Sequence, residues 1–223
     1  MANFVIDLAP LRKSKDFSLL WAAGLISYFG SMITYVAVPF QVKELTGSYV
    51  AVAISGLVEI VPLIIFGLYC GVLADALDRK KLIWVTELLS LLFTALLLIN
   101  SMMDSPSLLL IYIVSGLFAA TSGLRQPAMQ AALPRLVDHE DMTAAAALMS
   151  LRWQIGVIVG PAIGGVLIST YSVAVGYAAD IATFVISLAL IAFMKNIPPS
   201  HEAEAPSLSA LIEGVKYAFS RKD

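Results

Sequence analysis

The sequence is short of cysteine, histidine and nucleotide-binding motifs. Its 223 residues include one cysteine, Cys70, and two histidines, His139 and His201. One cysteine cannot form an internal disulfide framework, and both histidines lie in polar stretches away from it, which leaves no cysteine–histidine metal site. Because the sequence also contains no Gly-x-x-x-x-Gly-Lys-Ser/Thr phosphate loop, we expect neither a metal nor another cofactor.

Charge is scarce as well. Charged residues make up 13% of the chain and apolar residues 59%, whereas a soluble domain carries about 25% charged residues. So few charges cannot cover a surface that faces water, so we expect the lipid bilayer to cover much of this protein. The formal net charge of -2 favours neither nucleic acid nor an acidic partner.

The apolar residues are concentrated in six continuous segments. Each is close to the roughly 20 residues that a helix needs to span a bilayer; the segments are residues 17–42, 49–73, 82–102, 107–124, 144–168 and 173–194. Short polar joints separate them, and Asp141 or Thr143 is placed to cap the fifth helix. We predict an all-α integral membrane protein with an N-terminal segment at 1–16, a six-helix bundle at 17–195 and a linker at 196–223. An apolar stripe at residues 208–219 predicts an amphipathic helix in that linker.

Basic residues fall almost entirely on one side of the predicted bundle. Lys43 lies on the opposite side, and Arg125 and Arg152 are left out because they fall within predicted spans. The segments that share the basic side contain Arg12, Lys13, Lys15, Arg79, Lys80, Lys81, Arg135, Lys195, Lys216, Arg221 and Lys222. Segments rich in lysine and arginine remain in the cytoplasm. We therefore predict a multi-pass protein with both termini cytoplasmic.

A dense charge cluster joins the second and third spans. Residues 71–81 read Gly-Val-Leu-Ala-Asp-Ala-Leu-Asp-Arg-Lys-Lys, which indicates a tight cytoplasmic turn. Arg79 and Lys80 can pair there with acids on an adjacent element, and a positive-inside anchor is the alternative, above all for Lys80 and Lys81. The string resembles the signature loop of the major facilitator superfamily, Gly-x-Leu-Ala-Asp-x-x-Gly-Arg-Lys. The positions that carry this resemblance are Gly71, Leu73, Asp75, Arg79 and Lys80, with Asp78 at the family's second glycine. The resemblance implies a gating latch between two six-helix halves.

The fifth span carries small residues at helical spacing together with a proline. Small residues four apart allow close helix packing in lipid, and a proline inside a helix frees a backbone carbonyl. The string resembles the antiporter motif of proton-coupled exporters, with Ala147 at its first glycine. Its other residues are Gly156, Gly160, Pro161, Gly164 and Gly165.

Three further stretches narrow the resemblance: residues 126–137, 144–148 and 180–184 are similar to the enterobactin-exporter and macrolide-efflux branch of that superfamily. The resemblance implies the N-terminal half of a twelve-helix fold, built from two inverted three-helix repeats, with the C-terminal six-helix half absent. It also implies a bacterial inner-membrane exporter that expels a small-molecule substrate, such as a siderophore or a drug, in exchange for protons. The expectation is therefore a fragment that needs its missing half.

Ionisable side chains within spans are costly and mark functional candidates. At 1.5 Å per residue, Glu59, Asp180 and Arg152 lie about 12–15 Å inside their spans. We predict that Glu59 and Asp180 face the central cavity, with Arg152 as counter-charge, and that one of the two acids carries the coupled proton. A permanent structural ion pair is the alternative. Arg125, at the predicted cytoplasmic end of the fourth span, is expected to be a gate residue or to snorkel towards water.

Other functions remain open at this point. A membrane enzyme needs a nucleophile and a base within the spans, and both histidines lie outside them, so we expect no enzyme. An ATP-driven exporter half usually carries long cytoplasmic helical extensions, and these loops are short. A non-transporting or homodimerising six-helix protein is the remaining alternative to the transporter.

Overall fold

A computed structural model describes residues 7–198, and the side chains of all of these except 69–76. Helices joined by short connections account for the described residues: α1 (Ala9–Lys13), α2 (Lys15–Thr46), α3 (Tyr49–Ala76), α4 (Arg79–Ser101), α5 (Leu108–Leu136), α6 (Met142–Thr170) and α7 (Val173–Ala192), with a 3-10 helix at His139–Asp141. Six helices of this part of the chain, α2 to α7, are long and apolar enough to cross a membrane. The predicted all-α, six-span fold is therefore confirmed, while the amphipathic helix at 208–219 lies outside the described residues.

The helix ends follow from local hydrogen bonding. Ser14, Ser107 and Ser172 cap α2, α5 and α7, each accepting a backbone N–H of the first turn. The α2 helix ends at Gly47, whose φ of 64° is the left-handed conformation that glycine adopts without strain. These caps explain why connections of two to six residues are enough to reverse the chain.

One predicted boundary and one predicted helix cap need correction. The fourth span was predicted to end at residue 124, but α5 continues to Leu136 through Pro127 and Pro134. Prolines are tolerated in such helices because neighbouring groups satisfy the carbonyls that they free. Asp141 precedes α6, but its side chain forms no capping bond. It accepts from Lys13 Nζ at 2.8 Å, and this hydrogen bond raises the pKa of Lys13.

The contacts between helices repeat themselves. The α2 helix packs mainly on α6 and α7, α5 packs mainly on α3 and α4, and α4 packs on α7. The first three spans correspond in order to the last three, so that α2 matches α5, α3 matches α6 and α4 matches α7. Under this correspondence the α2–α6 contact matches the α5–α3 contact, and the α2–α7 contact matches the α5–α4 contact. The α4–α7 contact maps onto itself. This correspondence is what two three-helix repeats produce.

The interior of the bundle is layered along the membrane normal. One apolar cluster lies near the end that carries Arg79 and Lys195, called the basic end below, and includes Leu20, Ile83 and Ile191. A second apolar cluster lies near the other end and includes Val38, Leu97, Ile111 and Tyr177. Between the two is a polar layer, whose buried members include Ser27, Ser31, Thr34, Glu87, Ser90, Thr94, Thr121, Arg125, Asp180 and Ser187. The polar layer places ionisable groups at mid-depth.

Candidate functional site

The polar layer contains an ion pair between α4 and α5. Arg125 Nη1 donates to Glu87 Oε2 at 3.0 Å, and the two side chains are 3% and 0% exposed. Ser187 of α7 donates to the other Glu87 oxygen at 3.0 Å, and Ser27 of α2 accepts from Arg125 at 3.4 Å. Four helices therefore meet at one neutralised charge pair.

The predicted position of Arg125 is wrong. Because α5 continues to Leu136, Arg125 lies about 17 Å from that helix end, and its guanidinium is buried against Glu87. It does not snorkel to water. A gating role for Arg125 stays a prediction.

Asp180 of α7 is fully buried among hydroxyl groups from three helices. Thr34 donates to its Oδ2 at 2.5 Å, Thr94 donates to the same oxygen at 3.3 Å, and Thr183 donates to Oδ1 at 3.3 Å. Gly30 makes room for this cluster, since a Cβ there would lie 2.5 Å from Asp180 Oδ1. Within the described part of the chain, Asp180 has hydroxyl partners and no basic one.

A cavity of about 370 Å³ lies between α2, α3 and α5, at the depth of the polar layer. We call it the Glu59 cavity. Glu59 lines it and, among the described residues, forms neither a hydrogen bond nor an ion pair. The remaining wall is largely apolar and aromatic, and includes Tyr28, Met32, Tyr35, Val38, Ile60, Leu63 and Phe118.

The structure separates the three predicted site residues. Glu59 lines the Glu59 cavity, whereas Asp180 does not line it and lies inside the bundle; that Glu59 faces the central cavity of a transporter stays a prediction. The two are linked through Thr34, which lines the Glu59 cavity and also donates to Asp180. Arg152 is not the counter-charge of either acid.

Arg152 lies instead at the junction of α6, α5 and α2. It is 5% exposed, and its Nη1 contacts Met129 Sδ at 3.8 Å. A Cβ at Gly24 would collide with the same guanidinium, so the glycine creates its space. Arg152 lines a second cavity, of about 770 Å³, between α5 and α6, which we call the Arg152 groove.

Arg79 and Lys80 of the signature loop donate to backbone carbonyls at the end of α7 and just after it, while their pairing with acids of an adjacent element stays a prediction. Arg79 donates to the Pro198 carbonyl at 3.0 Å, and Lys80 donates to the carbonyls of Ala192 and Met194. Asp78 caps α4 by accepting from Lys80 N at 2.9 Å, and it also accepts from Ile197 N at 3.3 Å. An acid at the family's glycine position therefore has a structural role here. Gly71 and Asp75 lie in the last two turns of α3, and the Asp75 side chain is not among those that the structure describes.

The glycine motif of α6 packs on α2 along one face. A Cβ at Gly156 would meet the Tyr28 ring, one at Gly160 would meet Met32, and one at Gly164 would lie 3.0 Å from Ile33 Cα. Pro161 lies within the helix at this contact. Gly165 has nothing within 4 Å of such a Cβ, and Ala147 is exposed, so these two residues take no part in the packing.

Sequence reasoning missed the partners of the buried acids. Glu87 is visible as a charge within a span, but its pairing with Arg125 depends on how α4 and α5 are rotated. Thr34 and Thr94 give no signal, because hydroxyl residues are common in membrane helices and their side chains can bond to their own backbone. The one signal in the sequence is that Thr34 follows Gly30 by one helical turn, which puts both on the same face of α2. In the structure that face lies against Asp180.

Comparison with known proteins identifies the family. The chain is 32% identical over 222 residues to the enterobactin exporter EntS of Shigella boydii serotype 18 (strain CDC 3083-94 / BS512), covering 98% of this chain and 52% of that protein. It is 31% identical over 222 residues to EntS of Escherichia coli O1:K1 / APEC and of Escherichia coli O157:H7 (strain EC4115 / EHEC). These two matches also cover 98% of this chain and 52% of the relative. The chain thus spans about half the length of the curated relatives it matches. Residues 5–222 match the family described as transmembrane secretion effectors, and the chain belongs to this family of the major facilitator superfamily.

Proposed function

We propose that this chain forms one six-helix half of a secondary exporter, which moves a small amphipathic molecule by alternating access. The observation that carries the proposal is the Glu59 cavity, where a carboxylate with no partner among the described residues lines about 370 Å³ of space at mid-depth. Ionisable side chains that face a cavity within a span mark substrate and proton pathways. Transporters built from such repeats bind their substrates near the midplane.

A second six-helix half would complete the cavity wall. The curated relatives are about twice as long as this chain, and α3 offers a surface that the described bundle leaves open. Its Leu57, Ile60, Val61 and Ile64 are between 52% and 63% exposed. The alternative is that a second copy of the same chain covers this surface of α3 in a homodimer.

Proton exchange drives the export in this proposal. Glu59 binds and releases a proton on the cavity wall, and the Thr34 hydroxyl connects the cavity to Asp180. One charge crossing a potential of about 100 mV supplies about 2.3 kcal/mol. At 1.4 kcal/mol per tenfold change, this sustains a concentration gradient of about 40- to 50-fold.

The substrate proposed is a siderophore or a drug of similar character. The relatives are named as enterobactin exporters, and Tyr28, Tyr35 and Phe118 give the Glu59 cavity an aromatic wall. Such a wall fits the apolar part of an amphipathic molecule.

The basic end is proposed to face the cytoplasm of a bacterium, with the protein in the inner membrane. Lys13, Arg79, Lys80, Arg135 and Lys195 belong to that end, and retention of such residues in the cytoplasm is the general rule. The signature loop, including Gly71 and Asp75, and the α6 glycine motif then serve the movement of this half against the other.

The decisive experiment is uptake into proteoliposomes that contain the full-length protein, with and without an imposed pH gradient. Glu59→Gln and Asp180→Asn are expected to abolish gradient-driven flux while leaving downhill exchange measurable. Exposed residues provide matched controls, in which Glu44→Gln and Asp104→Asn make the same chemical changes at the other end of the bundle. Both controls should transport as the unaltered protein does.

Two outcomes would contradict the proposal. Normal gradient-driven flux in both Glu59→Gln and Asp180→Asn would overturn the coupling assignment. Transport at full rate by the 223-residue chain as a monomer would overturn the need for a second half, and a homodimeric mass in detergent would favour a second copy of the same chain on α3.

A further inference from the structure

Arg152 is a buried cation whose partner is missing from the described residues. Its side chain is 5% exposed, its Nε has no hydrogen-bond acceptor, and its Nη1 has the Met129 sulfur at 3.8 Å. Sulfur is a weak acceptor. A desolvated guanidinium is unfavourable unless an anion neutralises it, so the position is built to receive one.

The other arginine of the bundle interior shows the contrast. Arg125 is also buried, but Glu87 neutralises it at 3.0 Å. No carboxylate of the described residues bonds to Arg152, and Glu87 already accepts from Arg125 and Ser187. An anion bound directly to Arg152 would therefore come from outside this set of residues.

The Arg152 groove supplies the rest of a binding site. Gln126 and Gln130 lie one turn apart on α5, Ser150 and Gln154 lie one turn apart on α6, and all four line the groove together with Arg152. Amides and hydroxyls donate hydrogen bonds to oxygen atoms. Trp153 adds an exposed aromatic surface to the same groove.

We propose that the Arg152 groove binds the oxyanionic group of the exported molecule, so that the substrate is an anionic amphiphile with a carboxylate or a similar oxygen anion. The guanidinium forms charge-assisted hydrogen bonds with the oxyanion, and the glutamines complete its coordination. Trp153 contacts the apolar atoms next to the anion, and the rest of the molecule extends to the Glu59 cavity, whose wall shares Gln126 with the groove. This inference deepens the proposed export function and rests on it. A carboxylate side chain from another part of the full-length protein would offer the same chemistry, and the test separates the two sources.

The test is binding of 2-naphthoate and of its neutral analogue 2-naphthamide to the purified full-length protein, measured by calorimetry. We expect naphthoate to bind about tenfold more tightly or better, because a charged hydrogen bond exceeds a neutral one by about that factor. Arg152→Gln should remove this preference and leave naphthamide affinity unchanged, while Arg152→Lys should retain part of it. Arg135→Gln makes the same change at an exposed position and should have no effect.

The outcomes separate the alternatives. Equal affinities for the two probes in the unaltered protein, or a preference that survives Arg152→Gln in folded protein, would overturn the inference. If Arg152→Gln leaves naphthoate binding unchanged but lowers the unfolding temperature, the anion that pairs with Arg152 is a carboxylate side chain of the protein. This result would also overturn the inference. Naphthoate binding that depends on Arg152 without any flux would leave the groove assigned and contradict the export function alone.

Discussion

Glu87 and Glu59 are the same side chain at mid-depth of consecutive spans, but their surroundings differ. Glu87 accepts from Arg125 and Ser187 and is fully buried. Glu59 has no partner among the described residues and faces a cavity. The same division applies to the arginines, since Arg125 pairs with Glu87 and Arg152 pairs with no carboxylate of the described residues. The ionisable residues inside this bundle therefore fall into two groups, those with an ion-pair or hydroxyl partner and those without one among the described residues.

The paired groups join helices to one another. Glu87 and Asp180 each bring together side chains from three or more helices, and removing a partner leaves a buried polar group unsatisfied. Glu59 and Arg152 form no ion pair with the described residues, and we propose that they bind a proton and a ligand, respectively. Substitutions can test this division by measuring stability and transport separately.

Glu87→Gln is expected to have the largest effect on stability. It leaves Arg125 charged and buried without an anion, which costs about 3–5 kcal/mol. The unfolding temperature in detergent should fall steeply. The double variant Glu87→Gln/Arg125→Met removes both charges and should recover most of the loss; an unfolding temperature for Glu87→Gln equal to that of the unaltered protein would show that the pair is not structural.

Gly160→Ala is expected to destabilise the α2–α6 contact by about 1–3 kcal/mol, because the added methyl meets Met32 and lies 3.1 Å from the Phe29 carbonyl. Gly165→Ala, on the same helix, is the matched control. Its methyl would have nothing within 4 Å, and replacing glycine by alanine within a helix is favourable. Equal thermal shifts in the two variants would argue against packing of the predicted face on α2.

Asp180→Asn should lower stability by about 1 kcal/mol, since the amide retains one acceptor oxygen and turns its NH₂ towards hydroxyl groups that now donate to the carboxylate. Thr34→Val removes the shortest of these bonds. Because the two residues share that bond, the loss of stability in the double variant should be smaller than the sum of the losses in the two single variants. Thermal unfolding of the two single variants and the double variant measures this coupling. Fully additive shifts would contradict a shared hydrogen-bond cluster.

Glu59→Gln is expected to change stability least, within about 0.5 kcal/mol, because the carboxylate has no partner to lose. Gradient-driven transport should nevertheless fail in this variant. The informative quantity is the ratio of the two effects, measured on one preparation by thermal unfolding and by flux. A large loss of stability would show that Glu59 has a structural partner, as Glu87 does, and would contradict its assignment as a group that is free to bind a proton in the cavity.

The sequence predicted what depends on length and apolarity, and missed what depends on helix rotation. Six spans and their order follow from runs that a bilayer requires to be apolar. The continuation of α5 beyond residue 124 was missed, because Arg125, Gln126 and Pro127 have the composition of a helix end. The grouping of Asp180 and Arg152 with Glu59 was wrong, because equal depth does not fix the direction in which a side chain points. That direction is set by glycines such as Gly24 and Gly30.

The bonds from Arg79 and Lys80 to the backbone at residues 192–198 have a mechanical consequence. They fix the place at which the chain leaves α7 to the first turn of α4, through Arg79 N and Ile197 O at 3.0 Å. When the bundle tilts as a rigid body, residues 192–198 therefore move together with the first turn of α4, because these bonds leave the stretch no independent motion that takes up part of the tilt.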